Sequence, residues 1–288
     1  MERGILFCRP GPGSVLEDRF ESEADVADHL GLATCVVNAD LVVEGEPHLA
    51  TEKVPAGEWV YRGPILRAEA YEALASAVGD RGATLFTEPA AYEHGLYLPE
   101  HYDAIVDRTA PSRWTEGTDV GEAWEVAQEL GPPPYLLKDH VKSAKEAWEE
   151  ACFVPAGSDR AAFEAVARGL LAERGEAFER GFVIRRFLTL RTSGVRDKAR
   201  RIPEEHRLYF VEGRVAAHAP YHGFTEPLRD VRPYEDALGT RIDSPFFAAD
   251  VAFRAEDDEW LVVEVNDGGV AVPPEDLDLV ALYEALGG

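Results

Sequence analysis

The chain has 288 residues, of which 54 are Asp or Glu and 29 Lys or Arg, giving a formal net charge of -25. That length suits one large domain or two to three small ones, and 45% hydrophobic residues suffice for a packed core. So acidic a surface repels polyanions, which excludes duplex nucleic acid and anionic membranes as general partners and leaves room only for a local basic pocket.

Residues 4–8, Gly-Ile-Leu-Phe-Cys, read as a buried strand, 22–30 as a short helix and 34–44 as a strand region. Residues 59–61 read as a strand end before the turn Arg62-Gly63-Pro64. Tyr71, Leu74, Ala75 and Val78 recur at i, i+3, i+4 and i+7, the mark of an amphipathic helix. Gly79 and Gly82 end that helix, and 83–86 is the next strand. The alternation predicts a small α/β domain at the start of the chain. Residues 88–118, rich in Tyr, His, Pro and Thr, read as an extended connection. A helix over 119–130, a strand over 135–138, a helix starting near Ser143, a second helix over 159–173 and a strand over 182–184 follow. Then come two hairpins: 207–219 about Glu212-Gly213, and 250–254 with 260–266 about the polar turn 255–259. A helix over 275–286 ends the series.

Cys8, Cys35 and Cys152 are too widely spaced for a metal or redox motif and are expected as reduced, packed thiols. No apolar run reaches the ~20 residues of a membrane helix. Met1-Glu2-Arg3-Gly4 lacks a signal peptide's apolar stretch. A cytoplasmic protein is the expectation.

Two clusters carry chemistry. The chain has 24 Arg and only 5 Lys, yet Lys138, Lys142 and Lys145 fall within eight residues. Lys138 ends an apolar strand. Ser143-Ala144-Lys145-Glu146 fits the S-x-x-E capping box, so Ser143 is expected to cap a helix whose free N–H groups favour an anion. Lys138, Lys142 and that helix start would form a compact triphosphate cradle; the alternative is an ordinary solvated cap with surface lysines. The second cluster is acidic. Glu264 and Asn266, two apart on a strand, project to one face, and folding the hairpin brings Asp250 opposite Glu264. Oxygen-only donors among Val251, Phe253, Val263 and Val265 suit Mg²⁺; the alternative is a sheet edge whose polar side chains reach solvent. His218 and His222 straddle Pro220 and make a poor zinc pair.

Taken in order, a strand lysine, the apolar strand 182–188, the strand bearing Glu205-His206-Arg207, and Asp250-x(13)-Glu264-x-Asn266 resemble the ATP-grasp enzymes over about residues 115–288. Tyr61-Arg62-Gly63, Lys138-Asp139-His140-Val141-Lys142-Ser143 and Glu264-Val265-Asn266-Asp267-Gly268 resemble one clade of that superfamily, named for an arginine and two lysines. These would be Arg62, Lys138 and Lys142. Two departures stand out. His140-Val141-Lys142-Ser143-Ala144 replaces the Gly-rich loop of many relatives, and Arg186 stands where many carry Glu.

The resemblance implies an α/β protein with α+β lobes: a pre-ATP-grasp domain over 1–115 and an ATP-grasp domain over 116–288. The small lobe would run over about 116–187 and the large lobe over about 188–288, with ATP clasped between them. It implies that Lys138, Lys142 and Ser143 hold phosphates, that Ile184, Arg186, Phe187 and Leu188 frame the adenine, and that Arg207 faces the γ-phosphate. Asp250, Glu264 and Asn266 would hold Mg²⁺. Arg62 would face the acceptor, gripping a carboxylate. The catalytic set would then be Arg62, Lys142 and Arg207. The implied reaction is an ATP- and Mg²⁺-dependent ligation of a small-molecule or peptide carboxylate to an amine through an acylphosphate. A kinase-like phosphotransferase and an inactive nucleotide-binding module are the alternatives on the same fold.

Overall fold

The computed structural model describes residues 3–11, 18–197, 200–221 and 228–288. They form two compact units: 1–96, 192–251 and 264–288 make one, and 97–191 with 252–263 make the other.

The first unit begins with β1 (Gly4–Arg9), α1 (Asp18–His29), β2 (Thr34–Asn38), α2 (Ala39–Val43), α3 (Pro47–Ala50), β3 (Gly57–Arg62), α4 (Ala68–Gly79), β4 (Ala83–Leu85) and α5 (Pro89–Leu96). The strands form a parallel sheet in the order β2-β1-β3-β4. Every residue of β1 is buried, as a near-continuous apolar run requires when both faces of a parallel strand are covered. The strand expected over 34–44 stops at Asn38. The Asn38 side chain accepts a hydrogen bond from the Asp40 amide and caps α2, so a local cap overrides the apolar run Leu41-Val42-Val43.

The second unit contains α6 (Leu98–Ile105), β5 (Ser112–Trp114), α7 (Val120–Ala127), β6 (Tyr135–Asp139), β7 (Phe153–Val154), α8 (Arg160–Arg174) and β8 (Phe182–Arg186). The extended connection expected over 88–118 is instead largely α5 and α6. Tyr92 with Leu96, and Leu98 with Tyr102 and Ile105, are buried at helical spacing, a stripe hidden by the Tyr, His and Pro composition. The sheet runs β5-β8-β6-β7, with antiparallel neighbours throughout. One face buries Tyr135, Leu137, Phe182 and Ile184 against Phe163, Val166, Ala167 and Leu170 of α8. On the other face Val183 packs with Leu98 and Tyr102.

The chain continues with the hairpin β9 (Thr192–Asp197) and β10 (Arg200–Pro203), then β11 (Glu205–Val211), β12 (Arg214–Pro220), α9 (Arg232–Leu238), β13 (Phe246–Phe253), β14 (Trp260–Asp267) and α10 (Leu279–Gly287), all in the first unit except residues 252–253 of β13 and 260–263 of β14. The turn between β11 and β12 places Glu212 (φ 49°) and Gly213 (φ 78°) in the left-handed region, as a tight hairpin turn demands. β11 to β14 form a sheet in the order β12-β11-β13-β14. Its inner face shares one core with the parallel sheet: Ile5, Phe7 and Val60 pack with Tyr209, Phe246 and Ala248 and with Leu282, Tyr283 and Leu286 of α10. That shared core is why residues from both ends of the chain form one unit. Among the described residues no helix is long and apolar enough to cross a membrane.

Candidate functional site

The lysine segment sits at the end of β6. Side chains alternate along the strand, so Tyr135 and Leu137 enter the α8 core while Lys138 projects to the opposite face, where it is 7% exposed. The turn that follows is held by Asp139. Its Oδ1 accepts the amides of Val141 (2.7 Å) and Lys142 (2.5 Å), and its own amide donates to the Lys142 carbonyl (2.9 Å). Its Oδ2 accepts Nε of Arg174 at 2.7 Å. Asp139 is fully buried and folds the backbone into an Asx-type turn, which brings the Lys142 backbone back onto Asp139. His140 is also buried. One ring nitrogen lies 2.9 Å from the Thr115 carbonyl, and burial pushes its pKa down.

Ser143 departs from expectation. No α-helix begins there: a 3₁₀ turn covers Lys145–Ala147 and a π-turn covers Trp148–Cys152, and neither start carries a side-chain cap. The capping box and its helix N-terminus are therefore not formed. No local pattern marks Asp139 and Arg174 as partners. They lie 35 residues apart, and only the closeness of the β6 turn to the end of α8 reveals their pairing.

On β8, Ile184 lies wholly inside the α8 core, paired by backbone with β5 and β6, so its side chain does not line a slot. Arg186 is tied to the loop before β6: its Nη1 donates to the carbonyls of Pro132 (2.6 Å) and Leu130 (3.2 Å). Its guanidinium serves the scaffold, and the Arg-for-Glu departure acquires a structural reason. Phe187 and Leu188 are half-buried. The Phe187 ring meets Phe153 edge-on (5.1 Å between centroids), and Phe153 stacks on Trp148 (5.4 Å). Neither Phe153 nor Trp148 belongs to a pattern that the sequence makes visible.

In the first unit, Arg207 and Asp250 form a buried fork. Nε and Nη2 of Arg207 reach the two carboxylate oxygens of Asp250, each at 2.7 Å, with both side chains less than 5% exposed. Nη1 donates to the Val272 carbonyl (2.9 Å), and the guanidinium lies over the Tyr221 ring (4.2 Å). Burial disfavours the charged guanidinium, yet the adjoining carboxylate overcomes this and holds its pKa above the ordinary value. β13 and β14 are neighbours. The Gly268 amide donates to the Phe246 carbonyl (3.0 Å), and four residues along each strand from that pair lie Glu264 and Asp250. The Arg254 amide bonds to the Glu259 carbonyl at the turn end, one residue out of step, so the ladder contains an irregularity. Glu264 is half-buried and Asn266 is 2% exposed.

These residues fit a hard cation by the chemistry of their donors. They are two carboxylates and a carboxamide, all oxygen ligands. Asp250 spends one lone pair per oxygen on Arg207 and keeps the others. Among the described residues no group of three or more His, Cys, Asp or Glu is placed to hold a metal ion. His218 is half-buried and its pKa is pushed down by burial; His222 lies outside the described residues.

Arg62, expected to face the acceptor, is engaged by protein groups. It is 1% exposed, and four of its five N–H groups are engaged: Nε and Nη2 with the Glu23 carboxylate (2.8 Å each), Nη1 with the carbonyls of Gly268 (2.5 Å) and Ala271 (3.1 Å). Burial opposes its charge, but the Glu23 carboxylate holds the pKa above its ordinary value. So committed a guanidinium presents no fork to a substrate carboxylate.

Two sheets carrying, respectively, a strand lysine with a second lysine on the next turn, and Asp and Glu-x-Asn on neighbouring strands, define an ATP-grasp protein. The model of the ATP-grasp domain, family 3 of the clade named for an arginine and two lysines, matches residues 129–286, more than half of the chain, and the chain belongs to that family. Solved structures share the fold at low identity. The RimK domain ATP-grasp protein of Sphaerobacter thermophilus is 13% identical with a TM-score of 0.60, over 98% of this chain and 100% of the other. The D-alanine–D-alanine ligase of Bacillus anthracis, complexed with ATP, is 10% identical with a TM-score of 0.59, over 99% and 92%. The ATP-grasp ligase PsnB, complexed with a minimal precursor, Mg and ADP, is 13% identical with a TM-score of 0.58, over 98% and 96%. No curated protein matches the sequence.

Proposed function

We propose that the protein is an ATP- and Mg²⁺-dependent ligase that activates a carboxylate as an acylphosphate and joins it to an amine. The observation that carries the proposal is the pairing of chemistries within one ATP-grasp chain. Lys138 stands near the end of β6 and Lys142 on the following turn, fixed by a buried aspartate, and an oxygen-donor set stands on β13 and β14. Phosphoryl transfer asks a protein mainly for positioning and charge neutralisation, and these groups supply both.

Lys138 and Lys142 would hold the phosphates. Asp250, Glu264 and Asn266 would hold Mg²⁺, which when bound neutralises charge on the phosphate oxygens. Arg207, kept cationic by Asp250, would stabilise the charge on the γ-phosphate. Half-buried Phe187 and Leu188 would border the base, with Ile184 and Arg186 acting through the backbone alone. A substrate carboxylate oxygen attacks the γ-phosphorus and ADP departs. The amine nitrogen then attacks the acyl carbon, the phosphate leaves with the C–O electron pair, and the amine releases a proton. A peptide or a small acid would serve as the carboxylate; PsnB, of the same fold, is complexed with a minimal precursor.

The test is release of ADP and inorganic phosphate from Mg-ATP with pools of amino acids and short peptides, for wild type and Glu264→Ala. Glu264-dependent ADP and phosphate that rise with an acid–amine pair support the ligase. ADP without phosphate points to a phosphotransferase, and AMP sinks the acylphosphate route.

A further inference from the structure

The segment that follows Asn266 is gripped on nearly every side. The Gly268 carbonyl accepts from Arg62 and the Gly269 carbonyl from the Gly63 amide (3.0 Å). The Ala271 carbonyl accepts from Arg62 and from the Tyr209 hydroxyl (2.9 Å), and the Val272 carbonyl from Arg207 (2.9 Å). The Asp267 side chain closes the start, with Oδ1 accepting the Gly269 amide at 2.8 Å. The two glycines are there because nothing larger fits. A Cβ at Gly268 would lie 2.5 Å from the Phe246 ring, and one at Gly269 2.5 Å from the Tyr61 carbonyl.

Such a strap needs no charged fork if its only duty is to turn the chain; backbone partners and packing would hold it. Yet a fully buried arginine is aimed at it, and a second layer is spent on aiming that arginine. Glu23 of α1 takes two of its N–H groups, and the Tyr283 hydroxyl of α10 donates to Glu23 (2.6 Å). A planar fork fixes direction as well as distance, which an ammonium does not. The strap begins two residues beyond Asn266 and four beyond Glu264, so its placement sets where the end of β14 projects those side chains.

We propose that Arg62, aimed by Glu23 and Tyr283, is a positioning residue for the cation-binding end of β14: its fork on the Gly268 and Ala271 carbonyls fixes Glu264 and Asn266 for Mg²⁺ rather than binding the acceptor. This rests on the reading of Glu264 and Asn266 as Mg²⁺ ligands. The link is the one drawn between metal ligands and the groups behind them, whose loss lowers metal affinity about 10- to 100-fold.

The experiment is calorimetric binding of ADP to the full chain, without metal and across a Mg²⁺ titration, for wild type, Arg62→Lys and Tyr209→Phe. Arg62→Lys keeps a charge beside Glu23 but cannot reach it and two carbonyls at once. Tyr209→Phe removes one bond to the strap and leaves the Arg62–Glu23 pair whole. In Arg62→Lys, metal-free ADP affinity should stay within about twofold while the apparent Mg²⁺ affinity at saturating ADP falls about tenfold or more. Tyr209→Phe should move Mg²⁺ affinity in the same direction by a smaller factor. Unchanged Mg²⁺ affinity in both variants overturns the inference, as does an equal loss of metal-free ADP binding, which would mean only general loosening. If Arg62→Lys fails to fold, Tyr209→Phe decides by the same criteria. A wild type whose ADP binding ignores Mg²⁺ sinks the metal assignment itself, and the inference with it.

Discussion

The turn that presents Lys142 hangs on one side chain, which makes Asp139→Ala a sharp perturbation. Asp139 is fully buried and Arg174 is 22% exposed, so deletion leaves a guanidinium that water reaches only in part. Removing one member of a buried ion pair costs about 3–5 kcal/mol, and partial exposure of Arg174 favours the lower half. The amides of Val141 and Lys142 also lose their acceptor; with Lys142 half-buried, water replaces part of that loss. A total of about 3–5 kcal/mol follows. Arg174→Met is the contrast. It strands the fully buried carboxylate but leaves both amide bonds to Oδ1 in place, so about 3 kcal/mol is expected, the low end for breaking a buried ion pair. Urea unfolding followed by tryptophan fluorescence measures both, as a fall in midpoint at constant slope. Metal-free ADP binding should weaken in the same order, since only Asp139→Ala frees the Lys142 backbone. A cost below about 1 kcal/mol for Asp139→Ala, or a larger cost for Arg174→Met, would refute the reasoning.

Two further outcomes are expected. Arg207→Met strands the buried Asp250 carboxylate and should destabilise the fold by about 3–5 kcal/mol. Added Mg²⁺ should restore more stability to that variant than to wild type, because binding to the native state alone is stabilising. Thermal unfolding with and without Mg²⁺ reads this, and equal Mg²⁺ shifts in both proteins would remove Asp250 from the metal set. Cys8 supplies a test at alkaline pH. Burial pushes its thiol up to about 12 from an ordinary 9.0. A pKa raised in the folded state gives stability that is whole below the unfolded value and is lost as pH climbs through the folded one, here between about pH 9 and 12. The width of that window sets a bound of about 4 kcal/mol. Tyr61 and Tyr71, raised chiefly by burial, add to the same slope. Cys8→Ala should therefore flatten the fall in stability over this range without abolishing it, and an unaltered slope in denaturant midpoints would contradict the burial argument.

The sequence by itself determined what depends on short range. Alternation and helical spacing placed β1, β3, β6, α7, α8 and the β11–β12 hairpin, because side-chain direction repeats every two or 3.6 residues wherever the strand or helix lies. The scarcity of lysine pointed to Lys138 and Lys142, and Glu264-x-Asn266 marked one strand face, for the same local reason. The tertiary structure alone decided which charges meet. Arg207 lies 43 residues from Asp250, Arg62 lies 39 from Glu23 and 206 from Gly268, and Asp139 lies 35 from Arg174. A buried charge must be paired, but the pairing is set by which segments the core brings together, and no spacing in the chain encodes that. Ser143 shows the same limit from the other side. Its capping box is correct in pattern, yet a 3₁₀ turn and a π-turn follow it and neither carries a side-chain cap, so the local motif did not decide the local structure.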